Sequence, residues 1–114
     1  MAYASSSIDF TGGLTLNGND LPFYLGHLRR FAKDTSLLPL NDALTRGDVQ
    51  QAFMLAHTLK GLSAQLAVTS VYRPAAVICD LLRACSATRL PQAQDVFLEL
   101  VAGLEEARAE IERY

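Results

Sequence analysis

The sequence predicts an all-α fold, an antiparallel four-helix bundle with a short N-terminal helical segment, and three observations carry that prediction. Apolar residues recur every three or four positions along its long segments, the spacing that lines one face of a helix. No stretch alternates apolar and polar residues as a half-buried strand does. The connections are short and built from Asn, Gly, Asp, Ser and Pro, so consecutive helices fold back antiparallel.

Taken in order, residues 1–7 read as a flexible lead-in ending in Ser5-Ser6-Ser7, and residues 8–114 as one domain. Ile8-Asp9-Phe10 and Gly12-Gly13-Leu14 form the short opening segment. Asn17-Gly18-Asn19-Asp20 is a turn and a helix start, because Asn and Asp accept from the orphan N–H groups of a first turn. Pro22 sits just inside, where its missing N–H costs little. Tyr24, Leu28, Phe31 and Leu38 then repeat at helical spacing, and Pro39 is expected to kink or split this segment near Thr35-Ser36. Gly47 and Asp48 close one helix and cap the next.

The second long helix is expected from Val49 to about Ala67, burying Val49, Ala52, Phe53, Ala56, Leu59, Ser63 and Leu66. A third begins near Thr69-Ser70 and carries Val71, Ala75, Ile78, Leu81 and Leu82, with an irregular first turn at Pro74. Ser86 to Pro91 is expected as a break. A fourth runs from about Gln92 with Val96, Leu100, Leu104, Ala107 and Ile111 inward.

Composition bounds the function. Half the residues are apolar, enough for one core, and the formal net charge is −2 with a pI near 5.6. That balance lacks the basic footprint of a nucleic-acid partner or an anionic membrane surface. No apolar run approaches the roughly 20 residues of a membrane span, and Met1–Ser7 has no signal-peptide pattern. On one helix, Cys79 and Cys85 stand roughly 9 Å apart, beyond the reach of a disulfide of under about 7 Å. Both are expected as reduced, partly buried thiols, which favours the cytoplasm, including the cytoplasmic part of a membrane-anchored parent protein. Cys79, Cys85, His27 and His57 match no zinc-site spacing, so no metal is expected. Gly12-Gly13 lacks the spacing of a phosphate loop. His27, among Tyr24, Leu28 and Phe31, is taken as structural.

The informative segment is Ala56-His57-Thr58-Leu59-Lys60-Gly61-Leu62-Ser63-Ala64-Gln65-Leu66. Residues three, four and seven apart share a helix face, so His57, Lys60, Gly61 and Ala64 form a stripe beside the buried one. Gly in a helix interior costs about 1 kcal/mol relative to Ala, and a helix that accepts this often lets something approach its backbone. An imidazole is largely neutral at pH 7, so one ring nitrogen is free to attack as a nucleophile. Lys60, one turn on, brings positive charge to where phosphoryl oxygens would gather.

These residues resemble the signature of histidine-containing phosphotransfer domains: a His, any residue, an aliphatic residue, Lys, Gly and then Ala or Ser two positions later, here His57, Leu59, Lys60, Gly61 and Ser63. The resemblance extends to Asp9, Gly13-Leu14, Asn19-Asp20, Tyr24, Leu28, Phe31, Asp34 and Gly47-Asp48, and weakens beyond Arg83. It implies that His57 receives a phosphoryl group from the aspartate of one response-regulator receiver domain and passes it to another, with Lys60 as stabiliser. It places the partner face at Gly61, Ala64, Met54, Gln65 and Arg83. Gln65 lies about 12 Å along the axis from His57, too far to orient its ring. Magnesium and the catalytic groups belong to the receiver, so the resemblance implies a phosphocarrier with no cofactor and no ATP-dependent kinase activity of its own. An attached hybrid sensor kinase is a further candidate partner.

The sequence departs from the family pattern where Ala67 stands in place of the usual Gly, which is expected to alter the helix terminus rather than the chemistry. His27 replaces an apolar residue. Family members also set a polar group from the next helix beside the active His, and Arg83, before Asp80, is the candidate here. The runner-up reading is a helical adaptor that binds receivers without phosphate. A chemotaxis-type phosphoacceptor ranks lower because no acidic residue flanks His57 between Gln50 and Ser70.

Overall fold

Carboxylates placed just ahead of apolar runs start three of the helices in the computed structural model, which describes residues 7–84 and 87–114. Asp9 accepts from the Gly12 N–H at 3.1 Å and opens α1 (Phe10–Leu16). Asp20 accepts from the Phe23 N–H and opens α2 (Leu21–Ala32). Asp48 does the same for the Gln51 N–H at the head of α4 (Val49–Gln65). Each satisfies an amide that no earlier carbonyl in the helix reaches. The described residues contain α-helices and one 3₁₀ turn and no strand, so the all-helical expectation holds.

The long first segment splits where Pro39 predicts: α2 ends at Ala32 and α3 (Leu37–Arg46) begins after a turn in which Asp34 accepts from the Ser36 N–H at 2.7 Å. Pro39 occupies the first turn of α3, where a missing donor is harmless. Arg108 reaches across from the last helix and donates to the carbonyls of Ala32 and Asp34 at 2.6 and 2.9 Å, closing the frayed end of α2. Gly47 ends α3 with φ 76°, a left-handed conformation that glycine adopts without a Cβ clash.

Two expectations are corrected. The last helix, α6 (Leu90–Glu112), starts at Leu90 after a 3₁₀ turn at Ala87–Arg89, so Pro91 lies in its first turn rather than in a break. Pro at that position pre-sets the helical φ and gives up only an orphan donor, which makes it a start signal. Contacts also begin one residue earlier than the expected boundary: Ser7 is buried, donates to Glu110 and accepts from the Ser70 N–H and the Thr69 hydroxyl. Ser86 and Cys85, which the sequence placed in the break and at the end of the third helix, lie outside the described residues.

Packing follows the apolar stripes. α4 lies along α5 (Thr69–Leu82) and α5 along α6, while α3 touches both α4 and α6 and α2 rests on α6. Tyr24, Leu28, Leu40, Leu44, Leu59, Ile78, Leu82, Leu100 and Leu104 are among the large side chains withdrawn from water. Pro74 lies inside α5 and deprives the Ser70 carbonyl of its helical donor. The backbone of α6 closes on that carbonyl at Gly103, where a Cβ would overlap it, and the Ser70 hydroxyl donates to the Gly103 carbonyl at 2.7 Å. No helix among the described residues is long and apolar enough to cross a membrane.

Candidate functional site

The α4 stripe faces outward where the sequence places it. His57, Gly61, Ala64 and Gln65 are exposed, Lys60 is half-buried, and Met54 keeps 57 % of its surface in water. On the opposite side Val49, Ala52, Ala56, Leu59, Ser63 and Leu66 are buried. Ser63 is a polar residue inside the core, and it satisfies its hydroxyl locally by donating to the carbonyls of Leu59 and Lys60 at 2.8 and 3.1 Å. A built Cβ on Gly61 meets no atom within 4 Å, so this stretch of backbone is open to a visitor.

Both ends of α4 are fastened, which fixes the direction in which His57 points. Asp48 caps the N-terminus. At the C-terminus the Val68 N–H bonds the Ser63 carbonyl and the Ala67 N–H the Ala64 carbonyl, the paired bonds of a Schellman cap. Ala67 takes the left-handed turn at φ 57°, so the terminus keeps the shape that glycine would give it, against the expectation that this departure alters it. Three donors from the opening segment and α2 hold it there. The Asp9 N–H bonds the Ala67 carbonyl at 2.9 Å, the Tyr24 hydroxyl the Leu66 carbonyl at 2.7 Å, and the Asn17 amide the Gln65 carbonyl at 3.1 Å. Burial pushes the Tyr24 phenol up from its usual value near 10 to about 12, so it stays a donor across the neutral range.

The immediate surroundings of the imidazole correct one expectation. Arg83 and Asp80, the groups expected to orient the ring, bond each other at 2.7 Å across three residues of α5, both largely in water. A carboxylate one turn away on its own helix is the nearer partner for Arg83. The group that meets His57 is Phe53, half-buried rather than buried, with ring centroids 5.9 Å apart and planes tilted by 37°. No side chain among the described residues hydrogen-bonds the His57 ring. Burial pushes the Cys79 thiol up, against the charges of Lys60 and Arg83, which favour its ionised form.

His27, taken from sequence as structural, is half-buried and lines a cleft of about 290 Å³ with Asn17, Phe23, Leu62, Gln65 and Leu66. Its ring stands edge-on to Phe23 at 4.4 Å and accepts from the Arg30 guanidinium at 3.2 Å. A sequence signal for this cleft exists, because Phe23, His27 and Arg30 repeat the spacing of Phe53, His57 and Lys60. No group of three or more His, Cys, Asp or Glu among the described residues is arranged to hold a metal.

An exposed imidazole, a cation one turn on and bare backbone beside them can present a ring nitrogen to an electrophile carried by a large partner. Comparison with protein families matches residues 34–110, most of the chain, to the Hpt domain. Comparisons with curated proteins and with solved structures find no match.

Proposed function

Because this chain belongs to the Hpt domain family, whose members relay phosphoryl groups on histidine in phosphorelays, we propose that His57 is its phosphoacceptor. The partners are receiver domains of the bacterial two-component kind, one donating from an aspartyl phosphate and one accepting on an aspartate. The observation that carries this is the outward His57 ring, three residues before Lys60 and four before the open backbone of Gly61. The packing of α3 on α4, α4 on α5, α5 on α6 and α6 on α3 supports an antiparallel four-helix bundle as its scaffold, with α2 and α3 as one broken helix.

In the forward step a lone pair on one ring nitrogen attacks phosphorus, a P–N bond forms, and the P–O bond to the donor aspartate breaks. The electron pair leaves with the carboxylate, and the ring keeps the proton on its other nitrogen. The second step reverses this on the acceptor, whose carboxylate attacks phosphorus as the P–N pair returns to the ring. Lys60 faces the charge gathered on the phosphoryl oxygens, a contribution of electrostatics rather than of proton transfer.

The experiment offers the protein a receiver charged with labelled phosphate. Label is expected on the wild type in acid-labile, alkali-stable form and absent from His57→Gln. Label persisting on that variant would move the phosphoacceptor elsewhere.

A further inference from the structure

We infer that Phe53 is the positioning residue of the His57 site: its ring, anchored at the edge of the core, backs the imidazole and confines it to the orientation that a docked receiver meets. The inference rests on the phosphoacceptor reading above and deepens it, naming what aims a ring that no hydrogen bond holds.

The first argument is the geometry of a helix. The χ1 angles open to a helical residue turn its side chain back towards the N-terminus, onto the residues three and four before it. For His57 those are Met54 and Phe53. Met54 is unbranched, flexible and exposed, so it gives no fixed support. Phe53 is half-buried and packs against the core. It is also the ring that meets His57, at 5.9 Å between centroids and 37° between planes. That separation lies inside the range of about 4.5–7 Å in which aromatic rings attract one another.

The second argument is what else surrounds the ring. No side chain among the described residues hydrogen-bonds His57, and Arg83, the expected orienting group, is bonded to Asp80. On the C-terminal side a residue at position 61 would lean back over position 57, but Gly61 has no side chain to do so. His27 supplies the contrast. There an aromatic four residues earlier is joined by the Arg30 bond at 3.2 Å, and the two together fix the ring. His57 keeps the aromatic half of that arrangement alone.

The third argument is magnitude. On a helix χ1 of a histidine has two accessible wells and χ2 is broad and two-fold, so an unsupported imidazole divides itself among about four arrangements. Only an arrangement that aims the attacking nitrogen at the phosphorus of a docked aspartyl phosphate is productive. Confinement to that one raises the productive fraction about fourfold at most, which is the share of a near-attack geometry that a packing contact can supply.

The test titrates a charged receiver against the full chain and its Phe53→Leu and Phe53→Tyr variants. Thermal melts verify folding, and Phe53→Met answers the same question if the leucine unfolds the chain. Phe53→Leu should lower the rate at saturation between about twofold and fourfold and leave the half-saturating receiver concentration unchanged. Phe53→Tyr, which keeps the ring, should restore the rate. The loss should be larger with the receiver than with phosphoramidate, a small donor that reaches the imidazole in any orientation. In magnetic resonance spectra of the unphosphorylated wild type, the His57 ring protons should show cross-peaks to the Phe53 ring. A wild-type rate at saturation in Phe53→Leu, a loss confined to the half-saturating concentration, or an equal loss with both donors overturns the inference. So does the absence of those cross-peaks. In each of these cases label on His57 keeps the phosphotransfer reading, whereas a wild type labelled neither by phosphoramidate nor by any receiver overturns both.

Discussion

The two histidines of this protein sit in nearly the same local sequence and in different chemical situations. On α4, Phe53 precedes His57 by four residues and Lys60 follows by three; on α2, Phe23, His27 and Arg30 repeat those intervals. At His27 the cation is bonded to the ring at 3.2 Å, the aromatic stands edge-on at 4.4 Å, and the imidazole is half-buried. A neutral ring has one lone pair in its plane to give, and Arg30 occupies it; the other nitrogen then carries the proton and has nothing to attack with. At His57 the aromatic is further away, the ring is exposed and no side chain among the described residues claims either nitrogen. Spacing alone therefore does not make a nucleophile. What separates the two sites is whether the neighbouring cation is already engaged with the ring.

The comparison breaks most sharply on substitution of the rings themselves. His57→Gln should lose all label in transfer from a charged receiver, whereas His27→Gln should still take up label; label mapped by mass spectrometry to position 27 would erase the distinction. The next effect concerns backbone access. Gly61→Gln should raise the half-saturating receiver concentration at least about tenfold while stabilising α4 by up to about 1 kcal/mol. Gly26→Ala on α2, where a Cβ also meets open space, should give a similar gain in stability with transfer unchanged. Equal transfer in both variants would remove the case for close approach at α4. Third, Lys60→Ala should slow transfer or shorten the phosphohistidine lifetime several-fold with little change in thermal midpoint, and Arg30→Ala, whose cation is engaged with His27, should leave both unchanged.

The smaller predictions concern how α4 is held. Ala67→Gly should raise stability by about 1 kcal/mol, because glycine adopts φ 57° without the Cβ clash that alanine bears; chemical denaturation measures it, and a loss would mean that the left-handed cap is not what the alanine resists. Tyr24→Phe should cost about 1 kcal/mol at neutral pH by leaving the Leu66 carbonyl without its donor. The sign of its pH dependence follows from the raised folded value. The contribution is complete below pH 10 and is lost as pH climbs through about 12, where the buried phenol must ionise. A wild type whose stability stays flat from pH 10 to 12, or falls there no more steeply than the Phe variant, would contradict it.

Much of this was readable beforehand, for a local reason. The Asp20 and Asp48 caps, the Gly47 stop, the split at Pro39 and the outward His57 stripe all depend on residues within one or two turns of each other, and local sequence reports such relations directly. What escaped depends on contacts across the fold. Nothing in the segment around Ala67 announces that Asp9, Asn17 and Tyr24 supply donors to its carbonyls from more than forty positions away. Phe53 has the spacing of a core residue, yet helix packing leaves it half-open beside His57. Arg83 bonds Asp80 one turn back on its own chain rather than the His57 ring across the helix pair, a choice that residue type alone does not reveal.

If His57 is the phosphoacceptor, it stands on the outer face of a helix anchored at both ends, and that placement would set the traffic rules of a relay through it. One ring on an exposed helix face would admit one large visitor at a time, so a donor and an acceptor would have to take turns, with throughput bounded by how fast the first one leaves. With both ends of α4 tied by hydrogen bonds, the burden of adjustment would fall on whichever protein arrives.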